Sequence, residues 1–162
     1  NPEVYEPNLY SLLEKICSGV QGGQINIVIF TLPENYNKVT KTKFVPDFDK
    51  IIQDIKQRTK SITGIKANVT FVLSSELEEH DRTLFTNMKF YVSGDSFNYF
   101  DSQKRIITNG RFLHIHSLGS RENLDLGMQF IDDMQKIIDK VETKRNSNLF
   151  KGNKECNYLH FS

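Results

Sequence analysis

INIVIFTL, residues 25–32, is a continuous apolar run in which Ile25, Ile27, Val28 and Ile29 are β-branched. Its length and branching read as a buried strand, and Gly22-Gly23 breaks the chain just before it. Upstream, residues 8–18 read as a short helix. Asn8 is expected to cap it, Leu9, Leu12, Leu13 and Ile16 give one apolar face, and Gly19 ends it. Downstream, Pro46 sits where a second helix is expected to begin. Phe48, Ile51, Ile52 and Ile55 recur at helical spacing up to about Lys60. After Gly64, the alternation of Ala67, Val69, Phe71 and Leu73 predicts a strand over 67–74. Strand, helix, strand in that order favours a parallel pair joined by a crossover helix.

The rest of the chain extends this unit. Residues 33–45, with Pro33, Asn35, Asn37 and several lysines, read as a polar connection forming a mobile lip. The acidic run 76–81 reads as a solvated loop. Residues 83–93 alternate as one strand, with Leu84, Met88, Phe90 and Val92 on one side and Phe85, Asn87, Lys89 and Tyr91 on the other. Asn109-Gly110 between 105–108 and 111–117 is a strong hairpin signal. Ser120 is expected to cap a long last helix, with Leu124, Met128, Ile131, Met134 or Gln135, Ile138 and Val141 as its apolar stripe. From Lys144 on, the tail is Asn- and Lys-rich and expected to be irregular. Leu149, Phe150, Tyr158, Leu159 and Phe161 make it apolar enough to pack back. The expectation is a single α/β sandwich over 1–162, with a mixed sheet of five to seven strands, packed helices and a core at about 25–142.

Composition narrows the function classes. The 162 residues carry 21 basic and 20 acidic side chains, a formal charge of +1. No global field steers the chain toward nucleic acid or an acidic membrane, so anion binding must be local. Cys17 and Cys156 lie far apart in no metal-ligand spacing and read as free thiols of a reducing compartment. No apolar stretch reaches the ~18 residues of a membrane span, and no basic-then-apolar leader precedes the fold. A cytoplasmic location is the expectation.

The chemistry concentrates in His80-Asp81-Arg82, Asn87 and Gly94-Asp95-Ser96-Phe97-Asn98. This pattern resembles the phospholipase D superfamily, whose motif is H-x-K, four residues, D, six residues, G-S, and an Asn soon after. Arg82 occupies the Lys position, Asn87 the Asp position and Gly94 the Gly position. Asp95 stands where the first Ser would be, Ser96 one further on, and Asn98 one residue past the family Asn. More narrowly, H-D-R, T-N and S-G look like the compact phospholipase-D-like module found behind MIT domains and in stand-alone bacterial proteins. The competing reading is a salt-bridge cluster in a loop at a strand start.

The resemblance implies a metal-independent, cofactor-free phosphodiester chemistry built from two such motifs, in one chain or across a dimer. One His attacks phosphorus, and the other protonates the leaving group. With one motif, this chain would need a homodimer pairing two His80 side chains. Arg82 suits phosphate, because its fork reaches two oxygens. Asn87, however, brings no negative charge to an imidazolium, and Asp95 puts a carboxylate where the family offers a hydroxyl. The expectation is therefore a module that binds a phosphate-bearing ligand with His80, Arg82, Asn87, Gly94, Ser96 and Asn98. Nucleic acid is favoured over a lipid headgroup, and the resemblance suggests a bacterial defence or mobile-element setting. The alternatives are a homodimeric phosphodiesterase or nuclease using His80, and a protein-interaction module of a larger complex.

Two further features stand apart. His114 and His116 lie two apart on one expected strand and so face the same side. They read as partly buried strand histidines, with a metal pair as the sharper alternative for which no third ligand has helpful spacing, or as lining of the His80 pocket if their strand is adjacent. Gly119-Ser120-Arg121 opens the last helix and reads as an N-cap, with an anion site as the sharper alternative.

Overall fold

The computed structural model describes residues 6–37, 39–75, 82–86, 89–93, 103, 105, 113–143 and 149–153. They form an α/β arrangement of three helices and eight strands in three sheets. Helix α1 spans Glu6–Cys17. It starts two residues before Asn8, the expected cap, because Pro7 fits a first helical turn, where its missing N–H costs no bond.

Strands β1 (Ile25–Thr31) and β4 (Ala67–Leu73) pair in parallel, Ile25 opposite Ala67 through Thr31 opposite Leu73. The crossover is α2, Phe48–Thr63. Asp47 rather than Pro46 sets its start, since the Asp47 carboxylate accepts the Lys50 N–H at 3.0 Å. Gly64, at φ 72°, closes its end by donating its N–H to the Lys60 carbonyl.

Alternation along β4 divides the core in two. Ala67, Val69, Phe71 and Leu73 meet Tyr10 and Leu13 of α1 and Phe48, Ile52 and Ile55 of α2. On the other face, Val72 meets Ile138 and Val141 of α3 (Arg121–Thr143), with Val28 and Phe30 beside them. Val69 and Val72 are both fully buried, each worth roughly 1.5–3 kcal/mol of apolar transfer. The result is a three-layer α/β sandwich.

The expectation of one sheet with five to seven strands gives way to three smaller sheets. The mixed one is β1-β4-β8, where β8 (Phe150–Gly152) returns antiparallel to β4. The tail thus packs back, as its apolar residues predict; Tyr158, Leu159 and Phe161 lie outside the described residues. Beyond β8, the Asn153 N–H donates to the Val69 carbonyl at 2.9 Å. Its side-chain oxygen accepts the Val69 N–H at 3.2 Å, and its carbonyl accepts the buried Thr70 hydroxyl.

Residues 33–45 are not a plain lip. They hold an antiparallel hairpin, β2 (Asn35–Asn37) with β3 (Thr42–Phe44). The Asn37 side chain shapes its turn by accepting the N–H groups of Val39 and Thr40, and Lys41 takes φ 55°.

The expected single strand over 83–93 is two, β5 (Arg82–Phe85) and β6 (Lys89–Ser93), paired antiparallel. Strand β7 (Leu113–Ser117) adds to the far side of β6. The acidic run 76–81 and the Asn109-Gly110 turn lie outside the described residues. The α3 stripe also shifts. Gly127, Ile131, Ile138 and Val141 are buried, whereas Leu124 and Met128 are 44% and 39% exposed. The first half of the helix therefore leaves apolar surface toward solvent. Among the described residues no helix is long and apolar enough to cross a membrane.

Candidate functional site

Of the candidate residues, Arg82, His114 and His116 lie on the β5-β6-β7 sheet. A polar turn makes its first hairpin. The Thr86 N–H donates to the Lys89 carbonyl at 2.9 Å, and the Lys89 N–H donates to the Thr86 hydroxyl oxygen at 3.0 Å. From there the register runs Phe85 opposite Phe90, Leu84 opposite Tyr91, Thr83 opposite Val92 and Arg82 opposite Ser93. Across the next pair, Phe90 faces His116, Val92 faces His114 and Ser93 faces Leu113.

Three rows follow from that register. Arg82, Ser93 and Leu113 share the row at one end, with the β5 and β7 backbones about 10 Å apart across β6. The next row is Thr83, Val92 and His114, and two rows further come Phe85, Phe90 and His116. Because successive residues alternate between faces, His114 and His116 lie on the face of Phe90 and Val92. Ser93 and Leu113 belong to the other face. Strand β6 separates β7 from β5, so the histidines are one strand removed from the Arg82 position.

The packing on the histidine face is aromatic. Phe90 is fully buried. The His116 ring stacks on it with centroids 4.4 Å apart and planes 9° off parallel. Phe130 of α3 meets the same Phe90 at 6.1 Å. His114 is exposed and lies 6.4 Å from His116, planes 23° apart. The two are strand histidines as the spacing predicts, one half-buried and one in solvent. Among the described residues no three His, Cys, Asp or Glu side chains cluster to hold a metal ion.

Of the other sequence-predicted residues, the backbone of Arg82 is described, and His80, Asn87, Gly94, Ser96 and Asn98 lie outside the described residues. Gly119-Ser120-Arg121 resolves as an N-cap. The Ser120 hydroxyl oxygen accepts the Asn123 N–H at 3.3 Å, and the Asn123 side chain donates to the Ser117 carbonyl at 3.0 Å. That last bond ties the end of β7 to the start of α3. Cys17 is a buried free thiol, and burial pushes its ionisation upward; Cys156 lies outside the described residues.

Two features escaped the sequence reading. Ser93 is completely buried in the Arg82 row, and no periodicity marks a small polar residue as core. The second is a polar groove of about 370 Å³ between α1 and α2, lined by Tyr10, Lys50, Asp54, Gln57, Arg58 and Ser61. In it, the Arg58 guanidinium lies over the Tyr10 ring at 4.0 Å. Its signal was the spacing of Lys50, Asp54, Gln57 and Ser61 along one helix face. Two cations flank one carboxylate there, so the lining selects no single ligand charge.

Comparison with known proteins adds no relative: no family model, no curated protein and no solved structure matches the chain.

Proposed function

We propose that this chain is a degenerate phospholipase-D-like module that binds a phosphate-bearing ligand, nucleic acid in preference to a lipid headgroup. One observation carries the reading. Arg82, the last residue of H-D-R, and Ser93, the residue before Gly94, are register partners across the β5–β6 hairpin. The motif needs that proximity. A phosphate must meet the cation at the Lys position and the small polar residues after the Gly together. In one continuous strand, eleven residue steps would have separated them by about 36 Å.

Binding without turnover follows from residue types. Asn87 is neutral where the family has an acid, so an imidazolium at His80 gains no charge stabilisation from it. Asp95 repels a phosphate oxygen unless a cation neutralises it. Arg82 keeps the bidentate grip.

The test is incubation of the full chain with labelled single- and double-stranded DNA and RNA in EDTA, with mass measured in solution. Wild type is compared with His80→Ala and Arg82→Ala. The expected result is salt-sensitive binding without cleavage, weakened about ten-fold or more by Arg82→Ala. Metal-independent cleavage by a dimer, abolished by His80→Ala, would replace this reading with the nuclease one. Absence of nucleic-acid binding, with retention on vesicles carrying phosphatidic acid, would move the ligand to lipid headgroups. Neither would leave the protein-interaction reading.

A further inference from the structure

We infer that His114 and His116 form a two-imidazole site for a zinc-class transition-metal ion on β7, with water filling the remaining coordination positions. The inference is independent of the phosphate reading.

Three observations carry it. First, the two side chains share a face by strand alternation. Second, one ligand is fixed and the other can turn. The His116 ring is held flat on Phe90, itself fully buried and backed by Phe130, whereas His114 is exposed. Third, the spacing comes within about 1 Å of what one tetrahedral ion needs. A Zn–N bond of about 2.0–2.1 Å plus a ring radius of about 1.2 Å puts the metal roughly 3.2 Å from each ring centroid. Two rings on one ion are then about 5.3 Å apart at a tetrahedral angle and about 6.4 Å apart when opposed. The observed separation is 6.4 Å. A swing of about 1 Å by the exposed His114 ring reaches the tetrahedral arrangement.

The donor set decides the ion. Neutral imidazole suits zinc, copper and nickel and serves calcium or magnesium poorly. Two protein ligands leave open positions, the condition of an exchangeable ion rather than of a structural one.

The test titrates the full chain with Zn²⁺ alone, by calorimetry and by imidazole ¹H–¹⁵N resonances. Variants are His114→Asn and His116→Asn, with His80→Asn and His160→Asn covering the other two of the four histidines. One Zn²⁺ per chain is expected, weakened about ten-fold or more by either β7 substitution and unchanged by the other two. His114 is exposed, so its variant keeps the test valid even if His116→Asn disturbs the Phe90 packing. No saturable binding up to about 1 mM would overturn the inference. So would binding indifferent to His114→Asn, or binding that follows His80 or His160.

Discussion

A Cβ on residue 152 would collide with the backbone oxygen of Val69 and stand 3.1 Å from Cδ1 of Ile52. Gly152 also holds φ 90°, where L side chains are strained. Strand β8 therefore reaches the β4 edge only as glycine. Gly152→Ala is expected to cost about 3 kcal/mol or more in urea unfolding, since a backbone oxygen cannot move aside. Gly64→Ala, at φ 72° with nothing within 4 Å, should cost only about 1 kcal/mol. Equal costs would remove the argument from close approach.

Asn153 extends the same attachment. Replacing it with Ala takes away the acceptor of the Val69 N–H, leaving a part-buried donor without that bond. The expected loss is about 1–3 kcal/mol. Faster hydrogen exchange at the Val69 amide is the local readout, and unchanged protection there would contradict it.

Thr59 is fully buried on α2, and its hydroxyl has no hydrogen-bond partner among the described residues. Thr59→Val replaces that hydroxyl with a methyl of similar shape. It should raise stability by about 1 kcal/mol, because an unpaired buried polar group is relieved. A destabilised variant would mean that the hydroxyl is satisfied in solution.

Burial raises the ionisation of the Cys17 thiol. The folded thiol therefore ionises at higher pH than the unfolded one. Its contribution to stability is whole below the unfolded value and is lost as pH rises through the folded one. In a Cys156→Ser background, alkylation near pH 8 should be much slower in the folded chain than in urea. Stability should also fall more steeply above about pH 8.5 than in Cys17→Ala. Equal alkylation rates in the folded and unfolded chain would show an accessible thiol.

The Thr86 hydroxyl accepts the Lys89 N–H at the β5–β6 turn. If the Arg82–Ser93 register carries phosphate binding, Thr86→Val should weaken nucleic-acid affinity a few-fold through loss of about 1 kcal/mol of turn stability. Fold content by circular dichroism should be unchanged. Full affinity with a loosened turn would uncouple the two.

The parallel β1–β4 pair and α2 were legible because their signals are local and strong. Apolar runs with β-branching mark the strands, and Phe48, Ile52 and Ile55 repeat on one helix face. The two hairpins were not legible, because polar side chains build their turns. Asn37 and Thr86 fold the backbone back by accepting N–H groups, and alternation continues across such a reversal without a break. The first half of α3 misled for another reason. Leu124 and Met128 have helical spacing with the core residues, but spacing does not say where the opposing layer stops. At the candidate site, the pairing of His114 with His116 was readable from a two-residue step. The opposition of Arg82 and Ser93 was hidden by the same unrecognised reversal at Thr86.

Helix α3 touches the mixed sheet through Ile138 and Val141 and the second sheet through Phe130. The two sheets share no ladder among the described residues. Among the described residues, the angle between these two contacts is set by the winding of the segment between Phe130 and Ile138, which acts as a phase-setting axle. Inserting one residue there would turn one end against the other by about 100° and advance it by about 1.5 Å. Each sheet would keep its own bonds, while the histidine face of β7 came to point elsewhere. Length variation in this segment is therefore the change that separates stability from site geometry.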